Sequence, residues 1–178
     1  NSALIVLSFF ATNKELGRFT LAYKVAFLLR MLPVFFIQSA LQQASNFNLK
    51  SKEAYKNYIS KYFKVGLIIT ILIAIVTFIF SDTIIYIFSR EKIEYSSKIL
   101  SILGFIPFLA MLNFKNVIYV LVNDLKSILN KATFVTLIFM LFSSVILSYL
   151  YSGLGLAYAL VLTEFFSFII HYYFIYKK

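Results

Sequence analysis

Six apolar stretches follow one another along 178 residues with scarcely a charge inside them, most of them close to the run of about 18 to 24 residues that a helix needs to cross the hydrocarbon core of a bilayer. Inside lipid every backbone N–H and C=O must find a partner within the chain, so spans of this kind fold as helices. The expected fold class is therefore an all-α integral membrane protein, a bundle of six transmembrane helices forming a single domain over residues 1–178. A composition of 61% hydrophobic residues with 21 Phe and 13 Tyr lies outside the range of water-soluble domains. The sequence opens at Asn1 inside the first apolar stretch, so it reads as a piece of a longer protein.

The first stretch is residues 1–11, followed by a polar turn over 12–18. The second spans 19–43, about 38 Å as a straight helix, with Pro33 near its middle as an expected kink. The third covers 65–80. A shorter apolar piece, 83–88, follows a capping residue at Ser81 or Asp82 and is too brief to cross, which suits an interfacial turn of helix. The fourth spans 99–122; its Gly104 and Pro107 favour an interior position where neighbours satisfy the freed backbone groups. The fifth covers 132–150 and the sixth 156–176, joined by a tight turn over 151–155.

Net charge is +10 and the basic residues lie in the connections, a pattern that reports membrane orientation rather than nucleic-acid binding. The connection after the second span holds Lys50, Lys52, Lys56, Lys61 and Lys64, the one after the fourth holds Lys126 and Lys131, and the chain ends Lys177, Lys178. These belong on the cytoplasmic side, which places both ends of the segment there. Within residues 51–64 the apolar positions Tyr55, Tyr58, Ile59, Tyr62 and Phe63 recur at helical spacing away from most of the lysines, marking a basic amphipathic helix on the cytoplasmic membrane surface.

Few groups could carry chemistry. Cysteine is absent, which removes disulfides, thiolate metal sites and thiol nucleophiles. There is no H-E-x-x-H, Gly-rich phosphate loop or Gly-flanked Ser, so no catalytic residue, metal or cofactor is expected. What remains are ionisable and polar residues within the spans, which are costly in lipid and are functional candidates for that reason. Arg30 lies near the centre of the second span, where it needs a polar cavity, an anionic ligand or an internal counter-charge. Lys24 lies nearer the outer surface and can snorkel. Gln38 and Gln42 share a face and suit either a cavity or a helix contact. Lys115 sits in a polar patch with Asn113 and Asn116, where interface packing and substrate contact are both open. Glu164 and His171 are two turns apart on one face of the sixth span. They suit proton or cation coupling, or Glu164 is the partner of Arg30.

Particular strings resemble a known family. ALIVLSFFATNKELGRFTLAYKV (residues 3–25), with Glu15, Leu16, Gly17 and then Ala22, Tyr23, Lys24, is similar to the helix end and turn of Wzx-type flippases for lipid-linked oligosaccharides, with Phe19 in place of the usual tyrosine. MLPVFFIQSALQQAS (31–45) is similar to that family's second helix, without the proline common near its end. DTIIYIFSREKIEYSSKILSIL (82–103) looks like its interfacial helix and tyrosine-containing turn. YSGLGLAYALVLTEFF (151–166) resembles the start of its last helix, with Ser152 inserted before Gly153. The resemblance spans almost the whole chain, though each motif is degenerate. It implies one half of a twelve-helix transporter of the multidrug/oligosaccharidyl-lipid/polysaccharide exporter superfamily, more similar to the C-terminal half. It further implies translocation of undecaprenyl-diphosphate-linked sugar repeats across a bacterial inner membrane for O-antigen, capsule or other surface polysaccharide, by rocking of two halves about a polar cavity. The implied partners are membrane lipid, the lipid-linked oligosaccharide, the missing half of the chain, and polysaccharide polymerase and chain-length machinery. Rival readings are a drug or cation exporter of the same superfamily, a membrane transferase resting on Glu91 and Glu94, and a six-span scaffold without transport.

Overall fold

The computed structural model describes residues 2–177 and is all-helical, with no strand among the described residues. Helix α1 covers Ser2–Ser8. Helix α2, Asn13–Lys50, starts in a capping box: the Glu15 N–H donates to Thr12 Oγ1 while the Thr12 N–H donates to the Glu15 carboxylate at 3.1 Å. The polar turn expected over 12–18 is therefore mostly the first turns of α2. The helix continues through the buried Pro33 as one element and runs seven residues beyond the expected limit at Gln43.

Only Ser51 separates α2 from α3, Lys52–Ser89. In an extended conformation (φ −161°, ψ 129°) it ends one helix and caps the next, accepting a hydrogen bond from the Ala54 N–H. The amphipathic segment 51–64 is thus not a separate surface helix. It is continuous with the third span, because nothing between Lys64 and Val65 breaks the helix and the tyrosine face finds cover on α2, where Phe47 packs on Tyr58 with ring centroids 5.1 Å apart. At Phe80 the backbone leaves helical dihedrals (φ −105°, ψ 18°), one residue before the expected cap. The short interfacial piece 83–88 is the far end of α3 beyond that kink.

The fourth apolar stretch is broken into α4 (Glu94–Leu103), α5 (Ile106–Leu112) and α6 (Phe114–Val122). The breaks fall at Gly104 and Asn113, and Pro107 sits in the first turn of α5, where its missing N–H costs least. Gly104 is held against Thr77 of α3 so closely that an added Cβ would lie 2.7 Å from the threonine methyl.

Helix α7, Lys126–Tyr176, would be about 76 Å long if straight. It reverses instead at Ser152, whose dihedrals (φ 52°, ψ −133°) interrupt the helix. Phe139 and Phe166 stack with centroids 4.1 Å apart, and a Cβ on Gly155 would overlap the carbonyl of Leu147. Residues equidistant from the turn meet, so the arms 126–151 and 153–176 form an antiparallel hairpin. The Gly153 N–H donates to the Tyr95 hydroxyl at 3.1 Å, tying the turn to α4.

Two apolar cores hold these elements in register. One joins the start of α2 (Phe19, Ala22, Ala26) to the end of α3 (Ile85), to α4 (Ile99, Leu103) and to Leu156 of α7. The other joins the end of α2 (Ala40, Ala44) to the start of α3 (Ile59) and to Met111, Phe114 and Ile118. Helices α2 and α3 are consequently antiparallel, and α4 to α6 run back alongside α2. Four helical segments are long and apolar enough to cross a membrane: Asn13–Lys50, Lys52–Ser89, Glu94–Leu112 and Lys126–Tyr176. The outer surface is apolar, with Ile68, Leu72 and Ile79 on α3 and Phe134, Phe142 and Ile146 on α7 all exposed, as lipid contact requires.

Candidate functional site

Between the two cores the bundle is crossed by charge. Arg30 projects from α2 and its guanidinium pairs with the carboxylate of Glu164 on the second arm of α7. The two side chains are unequally covered: 14% of Glu164 is exposed against 49% of Arg30. Tyr23, Phe27, Met140 and Thr163 are among the walls of a cavity of about 60 Å³ around the pair. The Thr163 hydroxyl donates back to the Ala159 carbonyl at 2.7 Å and so is satisfied without the ion pair.

Chemically this is a fixed cation whose inner side is neutralised and whose outer side is open. Glu164 uses at most two of the five guanidinium donors, so an incoming phosphate or carboxylate can bind the outer face, or compete with Glu164 for the whole group. The cavity has room for a few waters and not for a sugar or a diphosphate. Any such ligand must approach from the exposed side of Arg30.

The remaining sequence candidates do not converge on this pair. Lys24 is exposed and borders a separate hollow with Leu4, Thr20, Phe27 and Leu28. Gln38 and Gln42 are exposed on the outer face of α2. Lys115 lies over the ring of Phe63, with Nζ 4.4 Å from the centroid, a cation–π contact joining α6 to α3. Its neighbours Asn113 and Asn116 are buried and bonded to each other at 3.1 Å. His171 is buried, and its Nδ1 donates to the Ser167 carbonyl at 2.8 Å, which fixes the tautomer with the proton on Nδ1. Glu164 and His171 therefore engage different partners. No group of three or more His, Cys, Asp or Glu side chains placed to hold a metal ion occurs among the described residues.

A second, larger cleft was not anticipated as a site. At the end of the bundle carrying Ser51, a hollow of about 570 Å³ is bordered by Lys52, Tyr55 and Lys56 of α3, Lys115 and Tyr119 of α6, and Tyr176 of α7. Burial beside Tyr176 and Tyr119 pushes the Tyr55 hydroxyl up from 10.0 to about 12. The i, i+4 spacing of Lys52 and Lys56 was visible in the sequence. Their meeting with Lys115, Tyr119 and Tyr176 from other helices was not, since those residues are more than fifty positions away. No family model, curated protein or solved structure matches this chain.

Proposed function

We propose that the chain is half of a membrane translocase for an anionic, lipid-linked oligosaccharide, the activity implied by its resemblance to Wzx-type flippases. The observation that carries this reading is the half-exposed Arg30, paired with Glu164 in the middle of an apolar bundle. A charge at that depth is retained against a cost of several kcal/mol, roughly 2.5–3.5 on insertion scales, and a cation open on one side suits a diphosphate. In this reading α1, α2, α3, the broken run α4 to α6 and the two arms of α7 make six crossings, with both ends cytoplasmic in a bacterial inner membrane. A second six-helix half closes the cavity over Arg30. Ligand capture by Arg30 releases Glu164, which with His171 then supplies the ion-coupling step.

One alternative has an observation of its own. The Arg30–Glu164 pair is what a non-transporting six-span scaffold would use to neutralise two interior charges. The cation-exporter reading is less favoured, since the interior acid it needs is occupied by Arg30.

The test is deletion of the gene, followed by measurement of surface polysaccharide and of lipid-linked repeat units retained in the cytoplasmic leaflet. The translocase reading expects loss of the first and accumulation of the second, and unchanged levels of both would end it. Complementation then separates the alternatives. Arg30→Gln and the exchange Arg30→Glu/Glu164→Arg should both fail to restore export at matched protein levels, whereas recovery by the exchange would assign the pair to structure.

A further inference from the structure

The cleft beside Ser51 brings three lysines together with no acidic side chain on its border. Lys52 and Lys56 lie one turn apart on α3, and Lys115 reaches the same space from α6. Like charges at this spacing repel, and an anion between them would turn that repulsion into attraction. Of the two acids nearest along the chain, Asp124 is engaged by Lys126 at 3.1 Å, and Glu53, which follows Lys52, is exposed and lies off the border of the cleft. Tyr55, Tyr119 and Tyr176 add hydroxyl groups, and the side-chain amides of Asn48 and Asn123 stand on the rim. Lysine ammonium, phenol and amide are all donors to phosphate oxygen, and the volume of about 570 Å³ is within the usual range of small-molecule sites.

Its height along the bundle narrows the ligand. The α3 residues that border it, Lys52 to Ser60, precede the apolar run starting at Val65 by about 8 to 20 Å of helix. That places the cleft at and just beyond headgroup depth, where tyrosines concentrate and basic side chains meet anionic lipid.

We propose that this cleft is a binding site for a phosphate-bearing anion, with Lys52, Lys56 and Lys115 as the charged contacts and Tyr55 as a hydroxyl donor. The phosphate belongs either to the headgroup of an anionic membrane lipid or to a free phosphate compound. The site is separate from the Arg30–Glu164 pair and does not depend on the translocase reading.

The experiment uses the full chain purified in a non-ionic detergent and titrated separately with dioctanoyl-phosphatidylglycerol, dioctanoyl-phosphatidylcholine and pyrophosphate, with bound ligand counted by native mass spectrometry. Binding of the anionic lipid that pyrophosphate does not displace identifies a headgroup site; binding of pyrophosphate that displaces the lipid identifies a free-phosphate site. In either case each Lys→Gln change at positions 52, 56 and 115 should weaken binding about 5-fold, and the triple change about 100-fold. The triple Lys→Arg variant should retain binding, which guards against misfolding as the cause of loss. The inference is overturned if the triple Gln variant binds within about 3-fold of the parent, if Lys14→Gln/Lys92→Gln at the opposite end of the bundle costs as much, if the zwitterionic lipid binds as tightly as the anionic one, or if neither anion binds.

Discussion

Ser152 and Gly155 lie three residues apart at the reversal of α7, and replacing them should move stability in opposite directions. Ser152 holds φ 52°, ψ −133°, a region that costs a residue bearing a Cβ about 1–3 kcal/mol. Its hydroxyl is also buried without a hydrogen-bond partner. Ser152→Gly removes both penalties and sets against them about 0.5–1 kcal/mol of added unfolded-state entropy, leaving a net stabilisation of about 1–2 kcal/mol. Gly155→Ala does the reverse. Its new methyl would overlap the Leu147 carbonyl and lie 3.1 Å from the Ser148 nitrogen. Backbone atoms cannot rotate aside as a side chain can, so the two arms must part. Overpacking costs about 1–3 kcal/mol, and more where the backbone must move, against about 1 kcal/mol regained in helix propensity; the net loss is about 2 kcal/mol. For a chain of this size 1 kcal/mol corresponds to about 2–4 °C. Thermal unfolding followed by circular dichroism in detergent should therefore show Ser152→Gly raised by about 2–8 °C and Gly155→Ala lowered by about 4–8 °C. If Gly155→Ala matched the parent, or Ser152→Gly melted earlier, the strain and close approach assigned to the turn would be wrong.

Three further outcomes are expected from the geometry. Neutralising either member of the Arg30–Glu164 pair should cost about 1–3 kcal/mol, below the usual figure for a buried pair because Arg30 is half exposed; the Arg30→Gln/Glu164→Gln double variant should lose less than the sum, and strict additivity in a double-mutant cycle would mean that the pair contributes nothing. Tyr95→Phe removes the hydroxyl that accepts from Gly153 and should cost about 1 kcal/mol by the same melting assay; an unchanged melting temperature would show that water replaces it. Since the Tyr55 pKa is raised to about 12 when folded, the unfolded chain loses that proton first. Its contribution is complete below pH 10 and disappears as pH rises from about 10 to about 12. The fall in stability across that window should be smaller in Tyr55→Phe, and equal slopes would count against a buried hydroxyl.

The helical class and the apolar character of the long helices were legible because a lipid-facing chain has so few alternatives for a polar backbone. Boundaries were less so. Residues 12–18 look like a loop by polarity, yet Thr12 and Glu15 form a capping box that starts α2 inside that stretch. The basic segment 51–64 looks like an independent surface helix because its composition differs from that of the apolar run after it, but no glycine or proline separates it from Val65. The reversal of α7 falls inside the turn expected over 151–155, but serine carries no sequence sign of a positive φ, so which residue leaves the helix was not legible. Arg30 and Glu164 could be named from their depth in apolar runs, and pairing was one of the alternatives raised for them. The lysine and tyrosine cleft could not, since its members are ordinary interfacial residues until α3, α6 and α7 bring them together.

The hairpin of α7 bears on how the protein is made. From Ala132 to Thr163, through both sides of the turn at Ser152, the chain carries no charged residue, and the turn itself is one residue wide. In the six-crossing arrangement proposed above, moving its tip across a bilayer transports no charge and strands very little backbone in lipid, so both arms can enter the membrane together as a preformed unit rather than one after the other. Lysines lie at the far ends of that unit, Lys126 and Lys131 in the first turns of the first arm and Lys177 after the second, where they would bias the direction in which it inserts. Adding a lysine at the tip should hinder insertion during synthesis, well before any effect on the finished bundle is felt.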